Sequence, residues 1–277
     1  MENNQLLENT LNKLLSPKKE NILTGFNDLD SILAGINKGN LITIGGRPAM
    51  GKSSLLMSIF ENVLKAEKRC LYCSLDMSEE QFLKRLFIQY AELNNTMVNI
   101  DNISDKDKEL LNKTMEDLKT FEFKLNCNSL TINDIEDDIT QYKPDYVFID
   151  YIQLIKIGAK KEMQNEMKNI LKHLKNIANE YGCYIFITSQ LSRALEARVD
   201  KRPLLCDLRE AGAIEEVSDV VMFIYRESYY RSRDEIINPE AAEIIVAKNK
   251  FGPVGTVFLL FKGEILKFCS PFKTNKF

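Results

Sequence analysis

Gly46, Gly51, Lys52 and Ser53 lie in the stretch "GGRPAMGKSS", residues 45 to 54, and satisfy the spacing G-x-x-x-x-G-K-S. That spacing suits a nucleoside triphosphate. Glycines let main-chain N–H groups close around phosphates, and a helix opening after the loop adds partial positive charge. Lys52 has the reach for the β- and γ-phosphates, and the Ser53 hydroxyl can hold Mg²⁺. The candidate nucleotide-binding set is therefore Gly46, Arg47, Pro48, Ala49, Met50, Gly51, Lys52, Ser53 and Ser54. Three further residues could turn binding into hydrolysis. Asp150 ends the apolar run "YVFID", where a carboxylate suits a second Mg²⁺ contact through water. Asp76 follows "CLYCSL" and could orient the attacking water. Its alternative role is a helix N-cap, but Ser78 with Gln81 fits a capping box better, which leaves Asp76 for the site. Gln190, after "YIFITS", carries an amide suited to sensing a γ-phosphate.

These residues need a scaffold that gathers strand ends. "LITIGG", "RCLYCSL", "YVFID", "CYIFITS" and "DVVMFIY" read as strands, and "AEIIVAKN" and "TVFLLF" as two more. Helical stretches follow the first two, cover 104–119, and run over about 163–181. Apolar strands alternating with helices imply a mostly parallel central sheet flanked by helices. The last two strands lie close together with glycines near the joint, so an antiparallel pair is expected at the C-terminal end. Before the domain, Leu6, Leu7, Leu11, Leu14 and Leu15 form one helical stripe, and "SPKKEN" with Pro17 reads as a linker. The expected division is a linker helix and linker over 1–20 and one α/β domain over 21–277.

Composition narrows the classes. The 277 residues are 44% hydrophobic with net charge −3, enough for a core and not a strongly basic chain. No apolar run of membrane-spanning length and no signal-peptide pattern appears, so no membrane partner and a cytoplasmic location are expected. The six cysteines read as buried thiols. "CLYC" has metal-ligand spacing, but in a strand its two cysteines face opposite ways, and no second pair exists. His173 is the only histidine, which argues against a Ser-His-Asp site. Six lysines against two glutamates at 156–175, and five basic residues against three acidic at 193–209, are a local excess that could line a nucleic-acid channel.

Taken in order, "LTGFNDLDSILAGINKGNLITIGGRPAMGKSS", "SLDMSEEQFLKR", "FIDYIQLI", "RPLLCDLREAGAIEE" and "EIIVAKNKFGPVGTV" resemble the C-terminal motor domain of DnaB-type replicative helicases, from about residue 21 to 268. The resemblance implies a RecA-like ATPase fold, with ATP and Mg²⁺ between the subunits of a hexameric ring that moves along single-stranded DNA. It implies that Lys52 and Ser53 bind phosphate and Mg²⁺, with Asp150 supporting the metal. Asp76 would be the catalytic carboxylate, Arg85 a site arginine and Gln190 the γ-phosphate sensor. Lys248 and Lys250 would reach the neighbour's nucleotide. Arg209, Glu210 and Gly212, in "DLREAG", would follow the DNA backbone, and the leucine-striped helix would dock on the adjacent subunit. A helicase loader or primase is the expected protein partner.

Three features depart from the family pattern. The catalytic position is Asp76 rather than glutamate, one methylene shorter. Position 250 is lysine rather than arginine, a point charge without a bidentate fork. Ahead of the motor only the linker-like helix is read, so the family's globular N-terminal domain, which serves ring assembly and primase contact, is expected to be absent. Two alternatives stand beside a helicase: a helicase-like module that binds nucleotide and DNA with weak turnover, and another RecA-like ATPase acting in recombination or on a protein.

Overall fold

The computed structural model describes residues 23–98, 103–128, 131–155, 166–231 and 238–271, together with Leu7, Glu8 and Leu11. Nine strands form one sheet: β1 (Leu41–Gly46), β2 (Cys70–Ser74), β3 (Phe123–Asn126), β4 (Tyr146–Asp150), β5 (Tyr184–Gln190), β6 (Val220–Tyr225), β7 (Glu240–Asn249), β8 (Gly255–Lys262) and β9 (Lys267–Cys269). Their spatial order is β3-β2-β4-β5-β1-β6-β7-β8-β9. Strands β3 to β6 of this order are parallel, while β7, β8 and β9 are added antiparallel.

Apart from the edge strand β3, the parallel strands are apolar along most of their length because both faces are covered. One face packs on α1 (Asn27–Ile32), α2 (Lys52–Lys65), α3 (Glu79–Ala91) and the end of α5 (Asp105–Lys119), with α4 (Asn95–Val98) a single turn between α3 and α5. The other packs on α6 (Ile132–Tyr142), α7 (Glu166–Tyr181) and α8 (Ala211–Val217). Cys70 belongs to the first core and Cys73 to the second, so the two thiols of "CLYC" point apart as expected. All six cysteines are free thiols, but only Cys70, Cys73 and Cys183 are buried; Cys127 and Cys269 are half-buried and Cys206 is exposed, against expectation. Phe60 sits at the centre of the first core, with its ring edge against Tyr72, Phe82, Phe123 and Phe148 at 5.4 to 6.0 Å.

Several elements go beyond the sequence expectation. β3 pairs with β2 at the sheet edge, and "FKLN" is half-buried and alternating rather than apolar. α6 begins with a capping box between Thr131 and Asp134 and buries only Ile135 and Ile139. β9 is three residues long and follows a left-handed Leu266. Of the leucine-striped helix, only Leu7, Glu8 and Leu11 are described; they are helical, with Leu7 and Leu11 exposed. Leu6, Leu14, Leu15, the "SPKKEN" linker and the lysines at 156, 160 and 161 lie outside the described residues. Among the described residues, no helix is long and apolar enough to cross a membrane.

Candidate nucleotide site

Register in the sheet brings the candidate residues to one edge. Gly46 at the end of β1 lies beside Gln190 at the end of β5, and Ser74 at the end of β2 lies beside Asp150 at the end of β4. The loops leaving these ends surround a cavity of about 580 Å³. Pro48, Ala49, Gly51, Lys52, Ser53, Ser54, Asp76, Arg85, Asp150 and Gln190 all line it. This is where ligands collect on open α/β sheets.

The phosphate loop reaches its shape through two left-handed residues, Ala49 (φ 62°) and Gly51 (φ 101°). Glycine is needed at 51 for a second reason: a Cβ there would stand 3.0 Å from the Phe268 ring. α2 then starts at Lys52. The Lys52 ammonium donates to the carbonyls of Gly46 (2.9 Å) and Arg47 (3.2 Å), inside its own loop. Burial pulls its pKa down to about 8, against the pull of Asp150 and Asp76 and with that of Arg47. A charge so poorly solvated favours an incoming polyanion.

Two loop residues turn their side chains away from the cavity. The Arg47 side chain turns away to Glu196 Oε1 (2.8 Å) and the Leu191 carbonyl (3.2 Å). The Met50 side chain is buried in the core. Ser54 accepts from Arg85 Nη2 at 2.7 Å, so the site arginine is braced on the first turn of α2. Ser78 and Gln81 form the expected capping box at the start of α3, which leaves Asp76 at the cavity wall.

Asp150 is almost fully buried. The Thr188 hydroxyl donates to its Oδ1, while Oδ2 is buried with no protein partner. An orphaned carboxylate oxygen in a cavity shared with the Ser53 hydroxyl fits a hard divalent cation. Among the described residues no group of three or more His, Cys, Asp or Glu could hold a metal. Asp150 and Ser53 together are a set suited to Mg²⁺ that takes its remaining oxygens from phosphate and water.

Six lining residues were not singled out from the sequence: Tyr151, Arg226, Glu240, Phe261, Gly263 and Leu266. Arg226 and Glu240 form a buried ion pair at 3.0 Å, with the Ser228 hydroxyl also donating to Glu240. The Arg226 guanidinium lies 4.2 Å from the Phe261 ring centroid and approaches the Ala49 and Met50 carbonyls at 3.5 and 3.4 Å. The antiparallel strands thus brace the phosphate loop. Phe261, Gly263 and Leu266 come from "TVFLLF" and the turn after it, and nothing local in that stretch marks a ligand wall.

The remaining candidates lie elsewhere. Lys248 and Lys250 are at the far end of β7, beside the start of β6, and do not line this cavity. Lys248 Nζ donates to the carbonyls of Ser218 (2.6 Å) and Glu215, at the C-terminal end of α8. Lys250 Nζ stands 3.7 Å from Asp219. Arg209, Glu210 and Gly212 form the turn into α8, with Glu210 left-handed at φ 64° and Arg209 and Glu210 exposed.

The basic excess at 193–209 is partly paired within the chain. Arg198 pairs with Asp207 (2.7 Å), Arg202 grips Glu243 with two bonds (2.6 and 2.8 Å), and Lys201 lies over the Tyr230 ring. Arg198 is thus paired within its own segment and Arg202 with an acid on β7, while Lys201 meets an aromatic ring rather than an acid. Arg193 and Arg209 are exposed without an ion-pair partner among the described residues.

A phosphate loop between β1 and α2, carboxylates on neighbouring strand ends, and antiparallel strands after β6 define a RecA-like ATPase fold. Residues 21–270 match the family model "DnaB-like helicase C terminal domain", and the chain belongs to that family. It is 36% identical over 276 residues to the "Probable replicative DNA helicase" of Trieres chinensis, covering 95% of this chain and 60% of that protein. A solved structure described as an ATPase domain superposes with TM-score 0.88 at 30% identity, covering 96% of this chain and 98% of that one. A "DnaB-Like Replicative Helicase", solved for its interactions with primase, gives TM-score 0.86 at 28% identity, covering 97% and 66%. The chain spans between 56 and 60% of the length of the curated relatives it matches.

Proposed function

We propose that this chain is an ATP-dependent DNA helicase motor that moves along single-stranded DNA as a ring-shaped hexamer. The observation that carries the reading is the meeting of Lys52, Ser53, Asp76, Asp150 and Gln190 on one cavity, with Gln190 hydrogen-bonded through its carbonyl to the Arg209 N–H at 3.1 Å. Lys52 and the loop main chain hold the triphosphate. Ser53 and Asp150 would hold Mg²⁺, which when bound would neutralise phosphate charge. Asp76 orients the attacking water and accepts its proton. Arg85, braced on Ser54, steadies the loop from the α3 side. Gln190 reads the presence of the γ-phosphate, and the Arg209–Gly212 turn moves with it.

In this reading Lys248 and Lys250 complete a neighbour's cavity, since they lie away from the chain's own. Residues 1–20 form a linker helix and linker, and 21–277 the motor domain. The exposed Leu7 and Leu11 suit docking on an adjacent subunit. The motor works in the cytoplasm with a helicase loader or primase as partner. ATPase activity measured with and without single-stranded DNA, at protein concentrations spanning monomer to ring, tests this. Stimulation by DNA that appears as rings assemble is expected; turnover indifferent to both DNA and concentration overturns the motor.

A second reading is favoured by Asp76 and Lys250, both weaker than the family's usual residues for their tasks. The chain would then hold nucleotide and DNA but turn over poorly. Sharp activation by Asp76→Glu with Lys250→Arg selects this reading. Rapid, DNA-stimulated turnover in the unaltered chain removes it.

A further inference from the structure

Three residues past Asp150, Gln153 sits on the 3-10 turn Ile152–Leu154. It does not line the nucleotide cavity. Its amide crosses instead to β5, where Nε2 donates to Ser189 Oγ at 2.8 Å. Ser189 is fully buried and immediately precedes Gln190. Beyond Gln190 the chain is stitched to the segment leading into α8. Leu191 and Leu208 form an antiparallel bridge, and the Ser192 N–H donates to the Asp207 carbonyl at 2.7 Å. The end of β5 and the Arg209–Gly212 turn are therefore one hydrogen-bonded block.

Gln153 also lies in the wall of a second cavity, about 580 Å³, that it shares with Glu210, Ala211, Gly212 and Ala213. The open space beside the turn gives it room for a second position. Gln153 Oε1 is buried with no partner, which is unfavourable unless another arrangement satisfies it.

We propose that Gln153 is a positioning residue that couples the nucleotide cavity to the Arg209–Gly212 turn. It fixes Ser189, so that a displacement of Gln190 by a bound γ-phosphate passes to the turn rather than dissipating in the strand end. Upstream of Ser189 the strand cannot yield, because β5 is paired with β1 on one side and β4 on the other. The inference rests on the motor reading only for what the turn grips; the coupling joins two cavities of this chain.

Amide hydrogen exchange over residues 205–214, with and without a non-hydrolysable ATP analogue, tests it. The full chain, Gln153→Ala, Gln153→Met and Ser189→Ala are compared, with Ser189→Thr as the conservative control. Nucleotide is expected to slow exchange at 209–213 at least about threefold in the parent and in Ser189→Thr, and to leave it unchanged in the other three. Analogue affinity stays within about threefold throughout, and the Gln153→Ala/Ser189→Ala pair responds no less than either single change. A turn that responds in Gln153→Ala and Gln153→Met as it does in the parent, or does not respond in the parent, overturns the coupling. Exchange coupling without any DNA stimulation of turnover sinks the motor reading and leaves this one standing.

Discussion

Replacing Lys52 by methionine is expected to stabilise the nucleotide-free chain while destroying triphosphate binding. Burial lowers the Lys52 pKa from an ordinary 10.5 to about 8. That fall corresponds to a cost of about 3 kcal/mol for keeping the folded lysine charged. The methionine variant loses the two bonds from Nζ to the Gly46 and Arg47 carbonyls, each worth about 1 kcal/mol. The balance is a gain of about 1–2 kcal/mol at pH 7, or about 2–8 °C in Tm for a domain of this size. The pH dependence fixes the cause. Between about pH 8 and 10.5 the unfolded lysine keeps a proton that the folded one has released, so the parent gains stability as pH rises through that window. The methionine variant gains nothing there, and its advantage shrinks towards pH 10.5. Thermal unfolding without nucleotide at pH 7 and pH 10 measures both effects. A variant no more stable than the parent at pH 7, or an advantage equal at the two pH values, refutes the reasoning.

On the weak-turnover reading Asp76→Glu raises turnover about 10–100-fold by carrying the carboxylate closer to the γ-phosphate, whereas on the motor reading turnover changes less than about threefold; steady-state ATPase kinetics decide between them. Asp150→Asn keeps an acceptor for the Thr188 hydroxyl but loses the charge, so the Mg²⁺ concentration for half-maximal turnover should rise about 10–100-fold, read from a metal titration. Glu240→Ala leaves Arg226 buried and unpaired and should cost about 3–5 kcal/mol in denaturant unfolding, whereas Arg226→Met with Glu240→Leu should cost much less. Equal losses in the single and double variants would mean that the pair is not the source of the effect.

Much of this molecule was legible in its residues for a physical reason: the phosphate loop is local. Glycines, lysine and serine at fixed spacing between a strand and a helix determine their own geometry, and Gly46, Lys52 and Ser53 are where that spacing puts them. Asp150 and Gln190 were legible because apolar runs ending in a polar residue mark strand ends, and parallel strands share an edge. Arg226, Glu240 and Phe261 were not, because their place beside the loop depends on antiparallel strands folding back across the sheet. The short β3 and the acidic helix α6 escaped because one is a half-polar edge strand and the other buries few side chains, although Thr131 and Asp134 were a readable cap. The partners of the basic run at 193–209 were not legible either. A count of charges cannot see that Glu243, on β7, answers Arg202.

Lys248 sits at the far end of β7 with its ammonium already satisfied by two carbonyls that close α8, the helix whose opposite end is the Arg209–Gly212 turn. A phosphate on an adjoining copy can recruit that lysine only by prising it off the helix. Recruitment would then free one end of a two-turn rod whose other end is the turn proposed to hold the strand. Contact between copies and the hold on a strand would thus be rivals for one side chain, and a lone chain would keep its turn in the clamped setting until a neighbour's fuel arrives.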